Sequence, residues 1–405
     1  MPINVLNKRI LLLQGPLGPF FWRFANELMK NGAKEVVKIN FNGGDELFFA
    51  DSKAISYRGS LEDWPQYVAE LLVNKQINCV FLLGDMRPYH RCMREITKQI
   101  GVDLFVFEEG YLRPDFITLE RGGVNGNSTM PRDPAYYFEK DKEDKEDEFN
   151  LPVGKTFLRS ALYAIIYMNA MAFKRHKYKL YCHHRDVGVL YHGLSWIRGW
   201  FRKFKYQFLE SQILQRLQSY TGGGYFLFPL QVHNDYQFHH SRYLRIEECI
   251  TEVIESFAKN APIEDLLVIK HHPADRPYRD YASCIKELAT DRHVSDRVLY
   301  VHDLHLPTLL KNARGTVLMN STVGLSSVHH GTPVKVLGDA VYNFEGLTFQ
   351  GALSDFWQDP GEVDSQVYAS FRAWLLRHNQ ANGSFYRRLD KSKDGTGVIW
   401  FSKWL

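Results

Sequence analysis

Val102-Asp103-Leu104-Phe105-Val106-Phe107 is an apolar run that ends in Glu108-Glu109, and Gly110-Tyr111-Leu112-Arg113-Pro114 follow at once. A buried strand closed by two carboxylates is poor design for stability alone, because buried charge is costly unless it is paired. In open α/β sheets the position just past the carboxyl end of a strand is where ligands bind. The meaning of Glu108 and Glu109 therefore depends on whether the chain around them is α/β.

Working outward, it reads so. Arg9 to Leu13 is a strand, Gln14-Gly15-Pro16-Leu17-Gly18-Pro19 a turn, and Phe20 to Asn31 a helix that stops at Gly32, a good residue for a helix end. Strands at Glu35–Ile39 and Cys79–Leu83 alternate with helices at Leu61–Asn74 and Tyr89–Ile100. Beyond a helix at Leu158–Phe173, a second series starts near Gly222-Gly223-Gly224. Its strands are at 225–228, 266–270, 298–301, 316–319 and 333–337, and a late helix runs from Gln366 to Asn379. Alternating strands and helices mean parallel βαβ units. The expected fold is α/β, with two Rossmann-like domains facing across a cleft. Residues 1–215 form the first, including a basic helical segment at 151–210, and residues 216–380 the second. A tail, 381–405, is expected to pack back on the first.

Composition agrees. A chain of 405 residues is too long for one ordinary core, and its 45% apolar and 24% charged content is that of a globular protein. Five scattered cysteines (Cys79, Cys92, Cys182, Cys249, Cys284) show no C-x-x-C spacing, which suits a reducing cytoplasm rather than a disulfide framework. The start has no signal-peptide pattern, and no apolar stretch is long enough to span a bilayer. The net charge of +4 is unevenly placed: Leu151 to Glu210 holds eleven Lys/Arg against Asp186 and Glu210, a local +9 interleaved with aromatic residues. That mixture suits an anionic membrane surface or nucleic acid.

Parallel strands gather their carboxyl ends at one edge. In the first half these ends carry Gln14-Gly15-Pro16-Leu17-Gly18, Asn40, Asp85 with Arg87 and His90, and Glu108-Glu109 with Arg113. A carboxylate there can act as nucleophile or base, and an arginine can bind an acidic substrate; a Glu-Arg pair can equally brace a loop. In the second half Gln231 ends one strand, Lys270-His271-His272-Pro273 another, and Ser321-Thr322 opens a helix. A helix start with hydroxyls, a histidine and a lysine suits phosphate, although Ser-Thr can also simply cap the helix. His302-x-x-His305 and His239-His240 lack a third ligand at a recognisable spacing, so no metal is expected. There is no G-x-G-x-x-G, Walker motif or G-x-S-x-G elbow.

Taken in order, Leu12-Leu13-Gln14-Gly15-Pro16, Gly84-Asp85-Met86-Arg87-Pro88-Tyr89-His90, Glu108 to Asp115, Pro229-Leu230-Gln231, Lys270-His271-His272-Pro273, Asn320 to Leu325, Gly331-Thr332-Pro333-Val334 and Asn382 to Tyr386 resemble the KpsS/LipB family of capsule polysaccharide biosynthesis proteins. The resemblance runs from about Arg9 to Tyr386. It implies a GT-B type glycosyltransferase that moves Kdo, an acidic eight-carbon sugar, from CMP-β-Kdo onto lyso-phosphatidylglycerol with retention, starting the poly-Kdo linker of an exported capsule. No separate cofactor is implied. The family's His-Pro motif, which binds the CMP phosphate, falls on His272 and Pro273. The sister enzyme KpsC has Glu-Asp-Gly where this chain has Glu108-Glu109-Gly110, and its Asp is the proposed nucleophile; Glu109 takes that place with one more methylene. Glu108 stands as the alternative or as its positioning partner.

Around these, the expected roles are Arg87 or Arg113 for the Kdo carboxylate, Asp85 or His90 for acid/base work, and Gly15 and Gly18 for substrate. Lys270, Ser321, Thr322 and Gln231 complete the nucleotide site. The basic segment becomes a surface for the inner membrane and its anionic lysophospholipid, with the protein peripheral on the cytoplasmic face. Other capsule biosynthesis or export proteins are possible partners, and nucleic acid is not. Two other readings fit the same residues: a non-catalytic membrane-associated adaptor of the export complex, and a GT-B transferase using another CMP-sugar.

Overall fold

The structure is a computed structural model, and it describes residues 3–141, 150–183, 189–220, 223–234, 241–389 and 395–400. The elements in chain order are β1 (Arg9–Leu12), α1 (Phe20–Lys30), β2 (Glu35–Asn40), α2 (Gly43–Phe48), β3 (Ile55–Ser56), α3 (Trp64–Asn74), β4 (Cys79–Leu83), α4 (Met93–Ile100), β5 (Asp103–Glu109) and β6 (Phe116–Arg121). The helices α5 (Pro134–Asp141), α6 (Phe157–Phe173), α7 (Val189–Leu209) and α8 (Ile213–Gln218) follow. Then come β7 (Tyr225–Pro229), α9 (Ile246–Asn260), β8 (Leu266–Lys270), α10 (Ala282–Asp291), β9 (Val298–Val301), α11 (Leu306–Asn312), β10 (Gly315–Leu318), α12 (Val323–His329), β11 (Val334–Val336), α13 (Leu353–Phe356), α14 (Ser365–His378) and β12 (Gln380–Asn382).

The chain divides into two compact units. One comprises Met1–Thr129, Lys145–Val189 and Ala373–Leu405; the other comprises Met130–Asp144 and Leu190–Arg372. This differs from the division read from the sequence, in which all of 1–215 stayed together. The reason is visible in the contacts of α7: Arg198 donates to the Pro277 carbonyl, Arg202 to the Arg276 carbonyl, and Glu210 accepts from the His302 and Asp303 amides. The polar ends of this helical stretch are satisfied by the second unit.

In the first unit the sheet order is β12-β6-β5-β4-β1-β2-β3. Its five strands β3-β2-β1-β4-β5 are parallel, a Rossmann order whose direction reverses between β1 and β4. The inner strands β1, β4 and β5 carry apolar runs because helices cover both faces. On one face Phe20 and Phe24 of α1 pack on Phe81 and Phe107, with Phe24 and Phe107 edge to face at 5.2 Å; Val68 and Leu72 of α3 cover the other. Each such aromatic pair contributes about 1 kcal/mol beyond its buried area.

The strand β5 continues into an antiparallel partner, β6, and β12 of the tail adds antiparallel to β6. Gly110 is needed at the turn, since a Cβ there would lie 2.2 Å from the Phe116 carbonyl oxygen. In the second unit all five strands are parallel in the order β11-β10-β7-β8-β9, again a Rossmann order, reversing between β7 and β10. The α/β class and the two Rossmann-like units are those read from the sequence. No helix among the described residues is long and apolar enough to cross a membrane.

Candidate active site

The first unit's strand ends meet at the point where its order reverses. Gly15, just past β1, has its carbonyl 3.4 Å from Nη1 of Arg87, past β4, so the pair straddles the switch point. A Cβ built on Gly84 would lie 3.5 Å from both Arg87 Nε and Glu108 Oε2, which places the Glu108 carboxylate beside Arg87. Glu108 Oε1 also accepts the amide of Glu109 at 2.9 Å.

Successive strand residues face opposite sides of a sheet, and register separates the two glutamates accordingly. Glu108 lies opposite Thr118 and shares a face with Val106; Glu109 lies opposite Ile117 and shares a face with Phe107. Glu108 is therefore held in a network, whereas the partly exposed Glu109 carboxylate has no hydrogen-bond or ion-pair partner among the described residues. The loop that follows is fixed from the tail: Gln380 Oε1 accepts the amides of Tyr111 (2.9 Å) and Leu112 (3.3 Å), and Asn382 donates to the Asp115 carbonyl. Arg113, on that loop, is exposed.

Asp85 and His90 are placed behind this edge. Asp85 is buried, and its Oδ2 accepts the Val124 amide (3.1 Å) and Asn127 Nδ2 (3.0 Å), leaving Oδ1 without a partner. His90 is 1% exposed and its Nδ1 faces the carbonyls of Gly84 (2.8 Å) and Leu83 (3.1 Å), so Nδ1 carries the proton and Nε2 is a buried lone pair. Burial, with Arg87 nearby, pushes the ring down to about 3. The ring is neutral and its one proton is held by these carbonyls, so it has no free proton to present to a leaving group.

Beside them the buried carboxyl of Glu120 accepts from Ser128 and, at 2.5 Å, from Tyr111, and burial pushes it up to about 7. Gly18 serves packing: its φ is +107° and its Cβ position would fall 2.6 Å from the Tyr163 ring of α6.

The second unit repeats the pattern. Gln231, past β7, and Asn320, past β10, are buried and joined reciprocally across the switch point, Gln231 Nε2 to Asn320 Oδ1 at 3.0 Å and Asn320 N to Gln231 Oε1 at 3.3 Å. His272 follows β8, is partly exposed, and accepts the Ala274 amide at Nδ1 (3.1 Å), which puts the neutral ring's proton on Nε2 as a donor. Pro273 is exposed beside it.

Ser321 and Thr322 are partly exposed at the start of α12, where Ser321 Oγ accepts the Val323 amide at 3.3 Å. Lys270 is different from what its position suggested. It is buried, donates to the His302 carbonyl at 3.2 Å and is lowered by burial, so its ammonium is used inside the unit. His302 is likewise structural. Its Nδ1 meets Glu210 at 2.8 Å and its ring stacks on Tyr206 at 3.5 Å, and no group of three metal-ligating side chains exists among the described residues. His239-His240 lies outside the described residues.

The basic segment also divides. Lys174 and Lys177 grip Glu46 of α2 at 3.0 and 2.8 Å. Burial raises Glu46, but the hydrogen bonds from Lys177, Lys174 and Tyr178 outweigh it and hold the carboxyl down at about 2. Arg175, Lys179, Lys203 and Lys205 are exposed, as are the apolar side chains of Leu158 (83%), Leu162, Ile165 and Phe173 (82%) on α6 and Trp200, Phe201, Phe204 and Phe208 on α7. On α6, residues 158, 162, 165 and 173 fall on one helical face.

Two Rossmann-like units, each with polar groups gathered at a switch point, define an α/β protein built to bind ligands at its strand ends. Residues 78–386 match the family model described as capsule polysaccharide biosynthesis protein. The chain is 38% identical to the capsule polysaccharide export protein KpsS of Escherichia coli, over 95% of this chain and 99% of that one. It is 36% identical to the capsule polysaccharide modification protein LipB of Neisseria meningitidis serogroup A, over 94% and 92%. The chain belongs to the capsule polysaccharide biosynthesis protein family. Among solved structures it is similar to the Thermosulfurimonas dismutans KpsC β-Kdo 2,7 transferase, at 14% identity and a TM-score of 0.44 over 93% of this chain and 92% of that one.

Proposed function

We propose that this protein is a GT-B type glycosyltransferase that moves Kdo from CMP-β-Kdo to lyso-phosphatidylglycerol with retention, starting the poly-Kdo linker of an exported capsular polysaccharide. The observation that carries the reading is the inequality of the two glutamates, one held and one available at the edge of a switch point. Family membership supplies the capsule setting, and the donor follows the resemblance of the motifs.

In this scheme the Glu109 carboxylate attacks the anomeric carbon, and the bond to the CMP phosphate breaks with its electron pair leaving on CMP. The acceptor hydroxyl then gives its proton to a base and attacks the same carbon from the opposite side, expelling Glu109. Two inversions give retention. Arg87 or Arg113 binds the Kdo carboxylate, and Glu108 positions the strand end. The phosphate released on CMP meets the Nε2–H of His272 and the Ser321 hydroxyl. Purified protein given CMP-Kdo and lyso-phosphatidylglycerol should release CMP and form a Kdo-lipid. No CMP release from a competent donor would sink the reading, and preference for a CMP-linked sialic acid would move it to another donor.

His272→Ala should weaken CMP binding about tenfold or more, since a hydrogen bond to a charged group contributes about 1.5–3 kcal/mol. The variant also loses the hydrogen bond from the Ala274 amide, so a melting curve run alongside separates lost binding from lost stability. Calorimetric titration with CMP checks this, and equal affinity would remove His272 from the site.

In each unit exposed cations accompany exposed apolar side chains, Arg175 and Lys179 with α6 in the first and Lys203 and Lys205 with α7 in the second, and both support contact with the anionic inner face of the membrane. Replacing Arg175, Lys179, Lys203 and Lys205 with Ser should weaken binding to anionic vesicles by about 1 kcal/mol per engaged residue, most visibly at low salt. Lys174 and Lys177 are left in place because they hold Glu46. Unchanged vesicle binding would make these ordinary surface residues.

A further inference from the structure

Three segments of the first unit meet around Arg23, a partly buried residue near the start of α1. Its Nη2 donates to the Phe385 carbonyl at 3.3 Å, which ties α1 to the tail, and its Nε is buried without a partner. Gly18, just ahead of α1, would put a Cβ 2.6 Å from the Tyr163 ring, which ties α1 to α6. Arg387 joins the tail to the lead-in of α6, its Nη1 lying 2.8 Å from the Cβ position of Gly154.

Guanidinium groups gather at this junction. Arg159 stands one turn before Tyr163 on the same side of α6, and Arg388 follows Arg387 in the tail. Burial lowers Arg23 below its usual range, and the nearby charges of Arg388 and Arg159 lower it further while Tyr163 works against them. Glu27, one turn along α1, gives its Oε2 to the Thr396 amide at 3.0 Å. Arg23, Arg159 and Arg388 make no ion pair among the described residues. Like charges held together repel, and an arginine cannot relieve this by losing its proton. A bound anion relieves it, and the guanidinium fork matches a phosphate with two parallel hydrogen bonds.

The same edge of α6 borders an exposed apolar strip. At about 3.6 residues per turn, Arg159 lies between Tyr163, which meets α1, and the strip of Leu158 (83% exposed), Leu162 and Ile166. Cations beside such a strip sit at the level of lipid headgroups while the apolar side chains enter the acyl boundary. A soluble anion would leave that strip in water; a phospholipid meets both parts.

We propose that Arg23, Arg159 and Arg388 form a phosphate clamp for an anionic phospholipid of the membrane, whose acyl chains lie beside Leu158, Leu162 and Ile166. The membrane setting rests on the peripheral contact proposed above. The clamp is a headgroup site within it, distinct from the exposed cations Arg175, Lys179, Lys203 and Lys205.

The test is sedimentation of the full chain with phosphatidylcholine vesicles containing phosphatidylglycerol, with no sugar donor present. Arg159→Lys combined with Arg388→Lys is the deciding variant, because it keeps every charge and both side chains are exposed, so folding is not at stake. A diffuse attraction depends on charge alone and is indifferent to this change. A clamp loses its forks, so vesicle affinity should fall at least about fivefold, the effect of one net hydrogen bond. Leu158→Ser should weaken binding to the same vesicles, and unchanged affinity there would overturn the acyl placement. Equal affinity of the double lysine variant and wild type would overturn the clamp and leave the peripheral contact standing. No vesicle binding by wild type would bring down both. Binding of free sn-glycerol 3-phosphate as tight as that of the vesicle lipid would assign the arginines to soluble phosphate esters and overturn the lipid assignment. No arm reads Kdo transfer, so the transferase reading stands or falls separately.

Discussion

Glu109→Gln should abolish Kdo transfer, by at least about 10³-fold in kcat, while leaving CMP affinity and the melting temperature as they are. An amide keeps the size and polarity of the side chain but has no anionic oxygen to form the covalent bond. Little else should change, because the Glu109 carboxylate has no protein partner among the described residues to lose. Glu109→Asp is the sharper comparison. It restores the Asp of the Glu-Asp-Gly motif but draws the carboxylate back by one methylene on a backbone set for Glu. A misplacement of about 1 Å can cost roughly 10²-fold, so the Asp variant should fall between wild type and Gln. Glu108→Gln should be milder than Glu109→Gln in kcat and worse in stability, since its amide oxygen can still accept the Glu109 N–H but the side chain loses the negative charge near Arg87. The opposite ranking, with Glu108→Gln inactive and Glu109→Gln near normal, would transfer the nucleophile role to Glu108.

Much of this geometry was legible in the sequence for one physical reason. Parallel strands covered on both faces are unbroken apolar runs, so Cys79–Leu83 or Leu266–Lys270 can be read directly, and the polar residue that ends each run marks the site edge. What escaped was whatever depends on pairing across distance. β6, Phe116–Arg121, mixes apolar and charged residues, and only its antiparallel register with β5 shows that the strand runs on through Glu108 and Glu109 and so turns them to opposite faces. β12 is three residues long, and nothing local says that Gln380 will hold the loop after Glu109. The helix α2 is a six-residue segment, too short for a periodic signal. Lys270 looked like a phosphate ligand by address, but its side chain turns inward to the His302 carbonyl.

Glu120 should make the first unit less stable as pH rises, and the sign can be worked out from its surroundings. Burial pushes its carboxyl from 4.5 up to about 7, against the hydrogen bonds from Ser128 and Tyr111 that favour the ionised form. Between these values the unfolded chain has released the proton and the folded one keeps it. The folded state therefore binds more protons, and stability falls with rising pH across that window and levels off above about 7. At about 1.4 kcal/mol per unit, the loss amounts to roughly 3 kcal/mol across the window, of which about 2 falls between pH 5.5 and 8. Glu120→Gln is a permanent mimic of the protonated group. It can still accept from Tyr111, and the Ser128 hydroxyl can turn to accept from the amide. Urea midpoints measured at the two pH values should show wild type losing ground to the variant by that amount. The effect reaches the site, because Tyr111 also receives the Asn125 amide and Asp85 receives the Val124 amide. Ionising Glu120 thus loads the same loop that seats Asp85 behind the Glu108 edge, and Kdo transfer should decline on the alkaline side less in Glu120→Gln than in wild type. A stability difference between the two proteins that stays constant from pH 5.5 to 8 would mean that Glu120 titrates alike in both states, and that this loop is held by the backbone rather than by the proton.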